Sequence, residues 1–252
     1  APGAERLSRS LSAIGVLFLT LSAATPASSV FVIVPGMLLT AGTGAVWAML
    51  LAGLVCIATA YVYAELSSAF PTAGGEYVMV ARTLGPFPGF VVLACNVCNS
   101  MIFPAVIGLG ASAVLGTIIP GLPQLPVAIA VVVGSTLFGL LDIRVNAVVT
   151  GLFVAVEMVT LVVLVVLGLM DPVRPIVPML THPVALTAHG LTPASLSSIG
   201  LATTIAIFAL NGYGMAVYFG EELHNAHSRI ARVILVSFGL CFALELVPIV
   251  AV

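Results

Sequence analysis

The chain has 252 residues, of which 61% are hydrophobic and only 6% are charged, and its formal net charge is −2. Soluble domains carry about 25% charged residues to keep their surfaces hydrated, so this composition excludes a soluble globular domain and predicts helices that cross a lipid bilayer. The net charge is too small to indicate a nucleic-acid partner.

Apolar runs of membrane-spanning length follow one another along the chain. A membrane helix needs about 20 mostly apolar residues. On that scale the sequence predicts seven spans, near residues 11–36, 44–64, 87–117, 125–141, 145–169, 196–220 and 231–252. The first run follows Arg6 and Arg9 as a signal peptide would, but it continues to residue 36 and is long enough to span. We therefore expect an all-α, multi-span membrane bundle.

The arginines indicate how the bundle is oriented. With the amino terminus in the cytoplasm, the arginines on the inner side are Arg6, Arg9, Arg82, Arg144, Arg229 and Arg232. Only Arg174 then lies outside. Because inner loops of membrane proteins are enriched in positive charge, this bias predicts a multi-pass protein of the cell membrane with a cytoplasmic amino terminus.

Two of the predicted spans are interrupted by residues that disfavour a helix. Span one contains TPASS at 25–29, where Pro26 removes an amide donor, and span six contains NGYG at 211–214. An unpaired backbone group in an apolar medium costs about 2–7 kcal/mol. Such breaks are therefore stable only where the freed backbone N–H and C=O groups line a protected cavity.

The two interruptions occupy corresponding positions in two sets of helices. Residues 1–170 form a first five-helix repeat, 171–195 an extracellular loop, and 196–252 the start of a second repeat that is truncated after two helices. Paired broken helices are typical of secondary transporters with inverted repeats, which hold their substrate at the breaks. The alternative is that proline and glycine are simply common in membrane helices.

Three segments resemble the amino acid–polyamine–organocation permeases, which share the five-plus-five fold of the sodium-coupled leucine transporter. Residues 63–77 read YAELSSAFPTAGGEY and carry the most specific match. Residues 208–213 read FALNGY and precede Glu221 and Glu222, and residues 27–31 read ASSVF. The resemblance covers only the first seven helices of that fold, so we expect this chain to be part of a longer permease.

The resemblance implies transport of amino acids by alternating access, coupled to a proton or to exchange. It places the substrate carboxylate on backbone amides of the first break and the substrate ammonium on carbonyls of the second. The implied substrate-binding residues are Ala27, Ser28, Ser29, Phe208, Ala209, Asn211 and Gly212. Phe208 matches an aromatic gate over the substrate, although a plain core or lipid-facing phenylalanine is the alternative.

Several residues depart from the family's pattern. Ala27 and Ser29 replace two glycines, Ala226 replaces a proline, and Glu157 stands where several relatives have a lysine. The lost glycines narrow the carboxylate site and Glu157 adds a negative charge. A polyamine or another organic amine is therefore the second substrate class.

Glu157 is the most informative single residue, because a carboxylate near the middle of a span costs about 2.5–3.5 kcal/mol to insert. It shares one helical face with Thr150, Phe153 and Thr160, which predicts that this face points inward. Two roles remain open. In the first, Glu157 is functional and either couples transport to a proton or binds the substrate ammonium. In the second, it is a structural acid. Glu245 lies in the last apolar run and is interpreted as structural.

Other function classes have weaker support. Cys95 and Cys98 form a CxxC pair, but no nearby residue completes a metal site, so we interpret them as packing residues. No metal site or other cofactor is predicted, and no cluster of residues has catalytic spacing. A seven-helix receptor is the rival class. It would not be a retinal protein, since the chain has no lysine for a Schiff base.

Overall fold

The computed structural model describes residues 12–72, 74–140, 143–170, 176–187, 190–223 and 225–251. In chain order the helices are α1 (Ala13–Ala24), α2 (Pro26–Ser28), α3 (Val34–Ala41), α4 (Ala45–Ala69), α5 (Gly75–Leu84), α6 (Pro86–Ile118), α7 (Gln124–Gly139), α8 (Ile143–Met170), α9 (Ile176–Thr181), α10 (Leu196–Ala209) and α11 (Ala226–Ala251). A π-helical turn, Ser29–Ile33, joins α2 to α3, and 3₁₀ segments occupy Gly42–Gly44 and Tyr213–Phe219.

The described helices confirm an all-α membrane bundle. Among the described residues, five apolar stretches are long enough to cross a bilayer, and the first of them, Ala13–Ala69, covers predicted spans one and two from residue 13 onward. The 3₁₀ turn at Gly42–Gly44 divides that stretch into two crossings. The predicted fourth span is the shorter apolar helix α7.

Small side chains allow the central helices to pack closely. Helix α4 lies against both α10 and α11. The residues of α4 and α10 that are completely buried are mainly alanines: Ala45, Ala48, Ala52, Ala60, Ala202 and Ala206. Membrane helices gain little from the hydrophobic effect against one another, so close contact between small residues supplies much of their association.

Helices α6, α7 and α8 lie at the edge of this core. Helices α6 and α7 pack on each other, and α8 contacts α11. Their outward side chains are large and apolar, for example Phe90, Met101 and Val156, which are 66%, 75% and 63% exposed. Such surfaces are compatible with lipid or with further membrane helices.

The structure corrects the predicted inward face of α8. Phe153 is 69% exposed and Thr160 is also exposed, whereas Leu161 is 2% exposed. The buried face therefore runs through Glu157 and Leu161, one turn apart. The predicted grouping was wrong, because Thr150, Phe153 and Thr160 are exposed while Glu157 lies on the buried side, and helical spacing alone does not determine which face meets the core.

The segment between α8 and α10 has more structure than the prolines of its sequence predicted. After α9, strands β1 (Val184–Thr187) and β2 (Gly190–Pro193) form an antiparallel hairpin in which Val184 pairs with Pro193. Thr43 anchors the hairpin, because its hydroxyl oxygen accepts a hydrogen bond of 2.8 Å from the Val184 amide. The predicted loop is therefore docked on the turn between α3 and α4.

Candidate substrate site

The first membrane helix is broken where its sequence predicts a break. Thr25 separates α1 from α2 with φ 43° and ψ 61°, a left-handed conformation that non-glycine residues rarely adopt. Pro26 follows at the first position of α2, where its missing amide costs no helical hydrogen bond. The π-helical turn after Ser28 leads directly to Pro35, which also lacks an amide donor.

An internal carboxylate occupies the amides released by this break. Glu157 Oε1 on α8 accepts a hydrogen bond of 2.7 Å from the Ala27 amide, and the Ser28 amide contacts the same carboxylate. The amino end of a helical segment carries partial positive charge, which favours an anion there. Two of the amides predicted for the substrate carboxylate thus hold a carboxylate of the protein itself.

The sixth membrane segment is also broken at the predicted residues. Helix α10 ends at Ala209, Gly212 has φ 150°, and a 3₁₀ segment replaces the α-helix from Tyr213. Only glycine adopts that φ without strain. The Asn211 amide donates to the Phe208 carbonyl at 3.2 Å, and the Asn211 side chain is exposed.

The two breaks are in direct contact with each other. The Ser29 hydroxyl donates to the Ala209 carbonyl oxygen at 3.2 Å, and both residues are buried. A Cβ atom added to Gly212 would lie 2.5 Å from the Ala24 Cα atom, so the backbones of the two segments pass very close there. Six of the seven predicted substrate residues thus lie in or beside this junction, and Asn211 turns its side chain away.

Phe208 lies at the edge of the junction. It is 37% exposed, and its ring is 6.2 Å from the Phe103 ring of α6, with the two planes tilted by 59°. This tilted arrangement is a normal aromatic contact. The assignment of Phe208 as a gate stays a prediction.

A second buried acid lies beside the first break. Glu245 on α11 is 0% exposed, and the Ser29 side chain contacts its carboxyl group. The sequence placed Glu245 in the last apolar run and led to a structural interpretation, but its depth depends on how α11 packs. An acid inside an apolar run was the available signal.

A polar cluster lies between α5, α6 and the 3₁₀ segment that follows the second break. The Asn96 side-chain amide donates to Glu76 Oε2 at 3.3 Å and to the Tyr218 hydroxyl oxygen at 3.2 Å. The Tyr63 hydroxyl faces the same Glu76 carboxylate. Asn96 therefore bridges helices, as asparagines in membrane segments commonly do.

Removing the carboxylate of this cluster should destabilise the protein. Glu76→Ala removes one of the two partners of Asn96 and the carboxylate that Tyr63 faces, and an unsatisfied polar group costs about 1–3 kcal/mol. Thermal unfolding of the purified protein in detergent measures this loss. Glu65→Ala is the matched control, because Glu65 lies in the same sequence motif but is exposed. Equal melting temperatures for the two variants would contradict the bridging role.

The cysteines do not form a shared site in the described residues. Cys95 and Cys98 are exposed on α6, Cys56 and Cys241 are buried, and all four thiols are free. The Tyr213 hydroxyl donates to the Cys56 carbonyl oxygen at 3.2 Å and so ties the 3₁₀ segment to α4.

The sequence of this chain is similar to that of known membrane proteins. The sequence pattern described as "Amino acid permease" matches residues 11–252. A branched-chain amino acid permease of Bacillus subtilis is 24% identical over 248 residues, which are 95% of this chain and 53% of that protein.

Two further relatives are also named as transporters. An uncharacterized transporter of Mycobacterium bovis is 28% identical over 221 residues, which are 84% of this chain and 45% of that protein. The cationic amino acid transporter 7 of Arabidopsis thaliana is 30% identical over 135 residues, which are 46% of this chain and 23% of that protein. The chain spans about half the length of the first two of these relatives. Because the family pattern matches nearly all of the chain and the predicted breaks are present, the chain belongs to the amino acid permease family.

Proposed function

We propose that this chain is part of a secondary transporter that carries amino acids across the cell membrane by alternating access. The observation that carries the proposal is the contact between the two helix breaks, where Ser29 is bonded to Ala209. Backbone groups at such breaks are suited to a small charged solute. Membership in the amino acid permease family and the printed names of its relatives support an amino acid as that solute.

In this proposal the substrate carboxylate competes with Glu157 for the first break. The Ala27 amide now donates to Glu157, so a substrate carboxylate reaches this amide only when Glu157 leaves. A released carboxylate in a water-poor site is best stabilised by a proton or by the substrate ammonium. Glu157 would therefore exchange its amide contacts for a proton when substrate binds, which couples transport to a proton.

We also propose how the chain is arranged in the membrane. Residues 1–170 form the first repeat and 196–252 begin the second, and the amino terminus is cytoplasmic. The positive-inside bias of the arginines supports this orientation. The hairpin of β1 and β2 would then lie on the outer side.

A second substrate class has one specific observation in its favour. Glu157 already accepts the hydrogen bond of the Ala27 amide, so this amide does not need a carboxylate from the ligand. An organic amine is such a ligand, and the acidic residues at the breaks suit its charge.

Uptake of labelled amino acids tests the proposed function. The natural full-length protein is reconstituted into liposomes, and each standard amino acid is supplied outside with and without an inward proton gradient. We expect saturable uptake of at least one amino acid above the level of empty liposomes. Binding without any uptake would indicate a receptor instead, and the absence of both would contradict an amino acid transporter.

A further inference from the structure

Glu245 is a buried acid for which the transport cycle proposed above gives no role. Its side chain is 0% exposed, and neither carboxyl oxygen has a hydrogen-bond partner within the part of the chain that the structure describes. Acids within membrane spans usually pair with another group or bind a ligand, because isolated burial is costly. An interhelical structural bond, the simplest alternative, is not formed by Glu245 with any of the described residues.

The neighbouring groups do not satisfy Glu245. The Ser29 hydroxyl lies beside the carboxyl group, but its single hydrogen is donated to the Ala209 carbonyl oxygen at 3.2 Å. The thiols of Cys56 on α4 and Cys241 on α11 lie near Glu245, and neither carries a positive charge. These contacts surround Glu245 without supplying a counter-charge.

Among the described residues, no basic side chain acts on Glu245. The chain contains no lysine. Arg232 is the nearest arginine along α11, and its separation of 13 residues corresponds to about 20 Å along the helix axis. Glu157, the half-buried acid at the first break, also lies on the side of Cys241. The junction thus has two acids and, among the described residues, no basic side chain beside them.

We propose that Glu245 binds the ammonium group of the transported ligand. An ammonium group has three hydrogens to donate, and the Glu245 carboxylate, the Ser29 hydroxyl oxygen and the Ala209 carbonyl oxygen are acceptors in the same place. The anion site of the first break is already filled by Glu157. The acceptors at Glu245, Ser29 and Ala209 therefore suit a cation.

This assignment rests on the proposed transport function and extends it to the chemical class of the ligand. Recognition is centred on the amino group, and the carboxylate of an amino acid is dispensable. A primary amine without a carboxylate is then a ligand as well. Leucine and isopentylamine, which is leucine without its carboxyl group, form a matched pair of probes.

Direct binding to the natural full-length protein in detergent tests the proposal. We expect the wild type to bind both probes, and Glu245→Gln to weaken both by about 10- to 100-fold, since hydrogen bonds to a charged group are lost. Glu65→Gln is the control, because it makes the same chemical change at an exposed position. Thermal unfolding shows whether each variant is folded.

A measurement on the wild type covers the case in which Glu245→Gln does not fold. A hydrophobic carbodiimide attaches to buried carboxyl groups, and mass spectrometry quantifies its attachment to Glu245. An activated carboxyl group also couples to a primary amine, so the isopentylamide of Glu245 is counted together with the carbodiimide adduct, and this total labelling should fall when isopentylamine is bound. Unprotected labelling at saturating isopentylamine would overturn the proposal.

Different results would contradict the role of Glu245 and the proposed transport function. Transport of leucine without binding of isopentylamine, or unchanged binding by a folded Glu245→Gln protein, would overturn the role of Glu245 and leave the amino acid transporter standing. Failure to transport any amino acid would overturn the proposed function itself, whereas binding of isopentylamine in that case would still support Glu245 as an amine site.

Discussion

Glu157→Gln is expected to abolish proton-driven accumulation of substrate while substrate exchange across the membrane continues. Glutamine has the same size and can still accept the hydrogen bond that the Ala27 amide now donates over 2.7 Å. It has no proton to gain or release near neutral pH. The site therefore keeps its shape and loses the group that we propose to carry the coupling proton.

The size of this effect follows from the energy in a proton gradient. One pH unit is worth about 1.36 kcal/mol per proton, so coupling to one proton supports about tenfold accumulation for each unit of pH difference. In proteoliposomes with no membrane potential, the wild type should accumulate substrate about tenfold for each unit of pH difference. Glu157→Gln should stop at equal concentrations inside and outside.

Thr160→Val is the matched control for this experiment. Thr160 lies on the same helix, is exposed, and bonds only the Val156 carbonyl oxygen among its described contacts. Removal of the Thr160 hydroxyl group should leave the accumulation of substrate unchanged. If Glu157→Gln accumulated substrate with the pH dependence of the wild type, Glu157 would be a structural acid that caps the first break.

Gly212→Ala should disrupt both folding and transport, because Gly212 lies where the two breaks are closest. The new Cβ atom would be 2.5 Å from the Ala24 Cα atom and 2.7 Å from its Cβ atom. The backbone at Gly212, with φ 150°, also disfavours any side chain. Strain and overpacking of this kind each cost about 1–3 kcal/mol.

Thermal unfolding and substrate uptake measure the two consequences. Gly200→Ala is the control in the same membrane segment, since a Cβ added at Gly200 would meet no neighbouring atom within 4 Å. Alanine is also the better helix former, so this control should be neutral or slightly stabilising. Similar melting temperatures for the two variants would show that the segments are not in close contact at Gly212.

The sequence predicted the features that depend on local chemistry. Composition and apolar run length gave the membrane helices, because lipid imposes a minimum length on each crossing. Pro26 and Gly212 marked the two breaks, because the first lacks an amide and the second permits an unusual φ. The sequence at residues 63–77 already indicates the family to which the chain belongs.

Features that depend on contacts between distant residues were not predictable in the same way. The bond between Glu157 and the Ala27 amide joins residues 130 positions apart, and no local pattern encodes it. The depth of Glu245 depends on how α11 packs against α1 and α4. The hairpin at 184–193 was missed, because two short strands flanked by prolines have little periodic signal.

A structure of the natural full-length protein with a bound amino acid tests the central claim most directly. The ligand should lie at the junction of the two breaks, within hydrogen-bond distance of the Ala27 amide and the Ala209 carbonyl oxygen. Glu157 should have left the Ala27 amide, which it now contacts at 2.7 Å. A ligand bound elsewhere while Glu157 still accepts from Ala27 would contradict the account.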